Sequence, residues 1–255
     1  MTTLTKRQKQ IINKVTESGF ATVEQLAESF EVTPQTIRSD INFLCKSDML
    51  SRYHGGAALK TGTRQNTDWR VRQGIHLKEK ERIATYIAQE VPNNSSLFMN
   101  LGTTTEMTAE KLIEYKDKLT IITNNLNIAI NLAGKKDFEI LIAGGSMRHS
   151  DRGVVGIATV DFVSQFHVDI AVIGISAINS DGILSDFDYQ EVQVAKALID
   201  NASKVILACD SSKFDKHLTV KLGSFEKIDV FITDKAPPKG IAEAAKSHGC
   251  EIIIV

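Results

Sequence analysis

The chain has 255 residues, 42% hydrophobic and 24% charged, with a formal net charge of −1, which suits one large or two modest globular domains. Overall disorder is excluded by that composition, and no run of about 18 apolar residues is available to span a membrane. The charge is unevenly spread: residues 1–60 hold eight Lys/Arg against six acids, so they carry +2 and the remainder −3, a bias that permits DNA binding without establishing it.

The first residues, MTTLTKRQKQ, contain no apolar stretch, so no signal peptide is expected and the location expected is the cytoplasm. Lys6 to Ser18 puts Ile11, Ile12 and Val15 on one side of a short helix, which Gly19 ends. A second helix begins at TVEQLAESF, where Thr22 and Gln25 have the spacing of a capping box and Leu26, Ala27 and Phe30 face inward. A third is capped by Thr33, with Pro34 at its first position, where a missing N–H costs nothing. Two capped helices about three residues apart, after a leading helix, have the spacing of a helix-turn-helix. Leu50, Arg52, Tyr53 and His54 before Gly55-Gly56 suggest a small hairpin, a wing.

The third helix has one plain face, Ile37, Ile41 and Leu44, which should be buried. Its other face carries Gln35, Thr36, Arg38, Ser39 and Asn42 rather than the Glu and Lys of a merely solvated surface. In a helix-turn-helix this helix enters the major groove, where Gln pairs with adenine, Arg with guanine, and Ser, Thr or Asn with bases or phosphates. Thr33, Gln35, Thr36, Arg38, Ser39 and Asn42 are therefore the expected DNA contacts. Arg52, Tyr53 and His54 either touch the duplex or only pack the wing. A protein-interaction domain with a solvated helix face is the plainer alternative.

Residues 59–76 are polar and weakly periodic and read as a linker, with Trp69 a docking anchor. The domain boundaries expected are thus 1–58, 59–76 and 77–255. From Lys78 a helix runs towards Pro92, and short apolar runs then alternate with helical stretches. The strands expected are SLFMN, LTIIT, FEILIAGG, DIAVIGIS, KVILACD, VFITD and EIIIV. Between them, helices are expected over Glu106–Glu114, Leu126–Ala133, Tyr189–Ala202 and Ile241–His248. This pattern argues an α/β fold with a mainly parallel sheet covered on both faces.

Ligands of open α/β sheets bind outside the carboxyl ends of the strands. There the sequence places Asn100, Gly102 and Thr103–Thr105, then Thr123, Asn124 and Asn125, then Gly144, Gly145 and Arg148, and finally Asp210 and Lys213. Hydroxyls and backbone N–H groups at a helix start suit a phosphate, and Arg148 and Lys213 supply charge. A small phosphorylated polyol or sugar fits, although caps and strand-end turns use the same residues. The cysteines at 45, 209 and 250 form no C-x-x-C pair and read as buried or incidental thiols, and the six histidines lack ligand spacing, so no metal is expected.

TVEQLAESFEVTPQTIRSDINFL followed by RYHGGAAL resembles the winged helix-turn-helix of the DeoR family of transcriptional regulators. EKERIA, LGTT, TNNLN, LAGG, DFVSQF, GISAI, FDYQEV and DSSKF resemble the DeoR sensor domain, which is similar in fold to ribose-5-phosphate isomerase. The resemblance implies a cytoplasmic, oligomeric repressor, a homodimer or homotetramer, bound to double-stranded operator DNA. It also implies release by a phosphorylated metabolite, here glycerol 3-phosphate, with ketose, hexose or deoxyribose phosphates as alternatives. No other cofactor is expected. An isomerase-like enzyme is the rival reading, since Lys213 matches a substrate-binding lysine of the isomerase. Proton transfer at a sugar phosphate needs a placed carboxylate. The isomerase's acidic loop reads GISAINSDG here, with Ser176 and Ala177 at its middle, so phosphate binding without catalysis is expected. Asp186, Asp188 and Glu191 are left to effector hydroxyls or to structure.

Overall fold

The computed structural model describes residues 4–18, 20–47, 49–53, 55–59 and 69–255, and the chain divides into two compact units, Met1–Leu77 and Lys78–Val255. The first is built from α1 (Lys6–Ser18), β1 (Phe20–Thr22), α2 (Val23–Ser29), α3 (Pro34–Lys46), β2 (Leu50–Tyr53), β3 (Gly56–Leu59) and α4 (Trp69–Gly74). Thr22 and Gln25 form the reciprocal cap of α2, and the Thr33 hydroxyl caps α3 ahead of Pro34. Ile11 and Val15 of α1, Leu26 of α2, and Ile37, Ile41 and Leu44 of α3 close one core, each burying a side chain that contributes roughly 1.5–3 kcal/mol.

Asp40 also turns inward on α3, only 6% exposed. It accepts from Arg7 Nε at 2.6 Å and Gln8 Nε2 at 3.1 Å, so a charge-assisted tie joins α1 to α3. The wing is a three-stranded antiparallel sheet in the order β1-β3-β2, turning at Gly55, whose φ of +82° suits glycine. A Cβ on Gly56 would meet the Ala21 carbonyl oxygen at 2.2 Å, so glycine is what lets β1 lie beside β3.

The expected linker over 59–76 is corrected at both ends. Leu59 completes β3, and Trp69–Gly74 forms α4, packed on β1. Ile75 clusters with Phe20 and Ala58, while Gly74 leaves room for the Phe20 ring, which a Cβ there would meet at 2.3 Å. Residues 60–68, and His54 of the wing, lie outside the described residues.

The second unit opens with α5 (Leu77–Glu90). There follow β4 (Ser96–Met99), α6 (Thr103–Tyr115), β5 (Thr120–Thr123), α7 (Leu126–Leu132), β6 (Glu139–Ile142), β7 (Ser146–Met147), β8 (Val154–Val155) and α8 (Ile157–Val163). The remainder is β9 (Val168–Gly174), β10 (Ala177–Ile178), β11 (Leu184–Asp186), α9 (Tyr189–Asp200), β12 (Ala202–Ala208), β13 (Val220–Gly223), β14 (Val230–Thr233), α10 (Lys239–Ser247) and β15 (Glu251–Ile254). All seven expected strands join one parallel sheet in the order β15-β14-β12-β9-β4-β5-β6.

Alternate residues feed two cores, which is why the strands read as continuous apolar runs. Leu97, Met99, Ile170 and Val172 face one layer, and Phe98, Ala171 and Ile173 the other. The helix expected to reach Ala202 stops at Asp200, because Ala202 already pairs with Val168 in the sheet. A side sheet β10-β11-β13, the hairpin β7-β8 and the short α8 complete the unit.

Candidate functional site

Two surfaces gather the residues that the sequence singles out. On the first unit, Gln35, Arg38, Ser39 and Asn42 all stand exposed on α3, opposite its buried face. Thr33 and Thr36 are partly committed, since the Thr33 hydroxyl caps the Thr36 N–H and lies 2.9 Å from the Thr36 hydroxyl. Arg38 Nη2 reaches Glu24 Oε1 of α2 at 4.0 Å. Arg52 of the wing donates to Asn42 Oδ1, so the wing and α3 are tied at their outer faces. Tyr53 is half-buried and meets the Phe20 ring edge-on at 6.4 Å, a packing role. Between α2, α3 and the wing lies a cavity of about 380 Å³ lined by Glu24, Arg38, Ile41, Arg52, Tyr53 and the Gly55-Gly56 turn.

On the second unit, strand order reverses between β4 and β9: the chain steps outward through β5 and β6, then returns to the other side of β4. A crevice at such a reversal is where open α/β sheets hold ligands. Asn100 clamps the two strand ends there. Its Nδ2 donates to the Gly174 carbonyl at 3.2 Å, and its Oδ1 accepts from the Gly174 N–H at 2.8 Å. Gly102 then opens α6 with a φ of 151° and no side-chain cap, so the first-turn N–H groups of Thr103–Thr105 lack partners within the helix. The Thr105 hydroxyl turns back to the carbonyls of Asn100 and Gly102. No hydrogen bond fixes the Thr103 or Thr104 hydroxyl among the described residues, and both side chains are nearly buried.

The next strand end is mostly architectural. Thr123 donates to the Met99 carbonyl at 2.7 Å and accepts from the Asn125 N–H at 3.0 Å. Asn125 caps α7 and donates to Glu106 Oε1, which Asn127 also reaches. Glu106 is 3% exposed, a buried tie between α6 and α7 that the sequence reading passes over. Asn124 differs: its Nδ2 donates to the Val154 carbonyl, while its Oδ1 is buried with no hydrogen-bond partner among the described residues.

Arg148 stands apart from the expectation that it brings charge to an effector. Its fork is filled by the chain's own carboxylates: Glu191 at 2.8 Å, Asp188 at 3.3 Å, and Asp151. Burial disfavours the charge, but Glu191 and Asp151 outweigh it and hold the guanidinium proton well above its ordinary range. Arg148, Glu191 and Asp188 thus lock the loop after β7 onto the first turn of α9. Gly144 is exposed, and its carbonyl accepts from Thr159. Asp186 is buried, with its carboxylate turned onto the following N–H at 2.7 Å.

Lys213 ends a single 3-10 turn, Ser211–Lys213, capped by Asp210 at the close of β12. No carboxylate pairs with its ammonium among the described residues. Ala208, at the end of β12, is paired with Gly174, so this turn flanks the same crevice. Lys216, not singled out by the sequence, follows one turn later; burial and then the charge of Lys213 pull its ammonium below its ordinary range. The groups with spare capacity at this edge, among the described residues, include the α6 N-terminus, Thr103, Thr104, Asn124, Lys213 and Lys216. Among the described residues no cluster of three His, Cys, Asp or Glu could hold a metal, and no helix is long and apolar enough to cross a membrane.

Comparison with known proteins assigns a domain family to each of the two units. Residues 7–63 match the family model for the DeoR-like helix-turn-helix domain, and residues 75–235 match that for the DeoR C terminal sensor domain. The chain is 43% identical over 248 residues to the glycerol-3-phosphate regulon repressor of Escherichia coli (strain K12), covering 97% of this chain and 98% of that one. It is 40% identical over 248 residues to the glycerol-3-phosphate regulon repressor of Haemophilus influenzae, covering 97% and 96%. Among solved structures, a distant likeness is to ribose 5-phosphate isomerase A of Methanocaldococcus jannaschii, at 15% identity and a TM-score of 0.39 over 53% of each chain.

Proposed function

The chain belongs to the DeoR family of transcriptional repressors, and from that premise we propose that it represses a glycerol 3-phosphate regulon and leaves its operator when glycerol 3-phosphate binds. The proposed reading head is the exposed face of α3, with Gln35, Arg38 and Ser39 at base edges and Asn42 with Arg52 bridging towards the backbone. The proposed effector site is the crevice between the ends of β4 and β9.

One observation carries that site. The α6 N-terminus has no side-chain cap, begins at a glycine, and stands at the reversal of strand order. Unpaired N–H groups and the positive end of the helix dipole suit a phosphate. Thr103 and Thr104 add hydroxyl donors, and Lys213 adds a charge that no carboxylate of the described chain quenches. Asn124 Oδ1 is a buried acceptor that an effector hydroxyl would satisfy; an orphaned acceptor of this kind is costly, so the gain on binding is correspondingly large. The relatives named for a glycerol-3-phosphate regulon support the choice of ligand.

Release needs only that the effector favour the form that does not hold DNA. Equal affinity for both forms would shift nothing, and by linkage operator DNA weakens effector binding by the same factor. Calorimetric titration of the DNA-free protein tests the site. Glycerol 3-phosphate is expected to bind with one-to-one stoichiometry per chain, glycerol and inorganic phosphate far more weakly, and Lys213→Ala to abolish the heat. Equal binding of glycerol 3-phosphate by wild type and by Lys213→Ala would remove this crevice from the account.

A further inference from the structure

Glu24 stands in the first turn of α2, where its charge suits the helix dipole, but that role does not account for its place beside the exposed arginine of α3. Its carboxylate lies 4.0 Å from Arg38 Nη2, yet Glu24 is 68% and Arg38 46% exposed, so water screens the pair and little folding energy is gained. Nor does α2 need it as a cap, because Thr22 and Gln25 already satisfy each other's backbone groups. The carboxylate faces the cavity that also holds Arg52.

Two guanidiniums on the rim of one cavity would grip any run of phosphates, which is the sequence-independent component of DNA affinity. A carboxylate lining the same cavity opposes a fully charged phosphate more than the uncharged edge of a base. With Glu24 4.0 Å to one side, the Arg38 fork is biased, though not fixed, in direction, which favours a bidentate contact to guanine.

We propose that Glu24 is a specificity-determining residue of the DNA-reading surface, orienting Arg38 and repelling phosphate so that random duplex is bound less well than operator. This rests on the assignment of α3 as the reading helix. Asn42 performs a matching duty for Arg52 by accepting its hydrogen bond, and being neutral it leaves that guanidinium its full attraction for the backbone.

The test compares Glu24→Gln with Glu28→Gln, which removes the same charge from an exposed site one turn further along α2. Binding to the DNA upstream of the protein's own gene and to random duplex of equal length is measured across a salt series. Glu24→Gln is expected to tighten random-duplex binding about three- to tenfold and to steepen its salt dependence by about one phosphate contact, a slope change of about 0.9. Operator affinity should move less than about twofold, so the specificity ratio falls, whereas Glu28→Gln should leave the ratio unchanged. An unchanged ratio in Glu24→Gln, or an equal fall in both variants, overturns the proposal. A wild-type chain with no preference for the upstream DNA would instead sink the assignment of α3, and the proposal with it.

Discussion

Arg148→Met removes a cation that pairs with Asp151, Asp188 and Glu191 while keeping an unbranched apolar stem. The Arg148 side chain is 16% exposed, Asp151 5% and Glu191 12%, so water replaces the lost partner poorly. Breaking a buried pair by removing one member costs about 3–5 kcal/mol, because the opposite charge stays behind uncompensated. Asp188 is 36% exposed and recovers part of its hydration, which puts the expected loss at the lower end, about 3 kcal/mol. In a unit of roughly 180 residues each kcal/mol lowers Tm by about 2–4 °C, so the C-terminal transition should fall by about 6–12 °C. Scanning calorimetry of the full chain reads this directly. Adding Glu191→Leu to the variant should recover part of the loss, since the most buried carboxylate near the lost charge on α9 is then gone. A single variant that melts within about 2 °C of wild type would refute the account of Arg148 as a lock.

Four further outcomes follow from particular residues. Asp40→Ala should cost the N-terminal unit about 1.5–3 kcal/mol in chemical denaturation, since charge-assisted bonds to Arg7 and Gln8 are lost together; an unchanged midpoint would make that tie incidental. Arg38→Ala should weaken operator binding by about 1–3 kcal/mol at fixed salt, and normal affinity would remove Arg38 from the reading set. Thr104→Ala should leave operator binding intact but raise the effector concentration needed for release, and a wild-type response would take Thr104 out of the crevice. Burial, then Asp210, raises the Cys209 thiol, while burial and then Asp229 push Cys250 up to about 12. At pH 8 a thiol reagent should therefore label neither in the native protein and both after denaturation. Native labelling of either would contradict their placement.

The sheet was legible because its strands are short apolar runs: inner ones such as β9 are buried on both faces, and the edge strands β6 and β15 keep the apolar run although they are only partly buried. Thr22 with Gln25, and Thr33 with Pro34, announced two helix starts because capping is a local event. What escaped was decided by distant partners. β1 is only Phe20–Thr22 and exists because Gly56 admits it beside β3; α4 follows because Phe20 then offers a surface to Gly74 and Ile75. β10, β11 and β13 are short segments in polar surroundings, with no periodicity of their own to reveal them.

At the candidate site the sequence supplied residue types but not their engagements. Arg148 looked like an effector ligand, and only the fold shows that carboxylates at the start of α9, far along the chain, fill its fork. Asp40 did leave a trace. It stands three residues after Ile37 and one before Ile41, on the apolar face, and a charge there asks for a buried partner.

The most direct measurement is the titration of the operator complex with glycerol 3-phosphate, run beside ketose, hexose and deoxyribose phosphates at one salt concentration, because DNA affinity moves steeply with salt. The account predicts that glycerol 3-phosphate releases the DNA at concentrations where the others leave it bound. Release by another sugar phosphate, with glycerol 3-phosphate inert, would contradict it while leaving the family assignment standing.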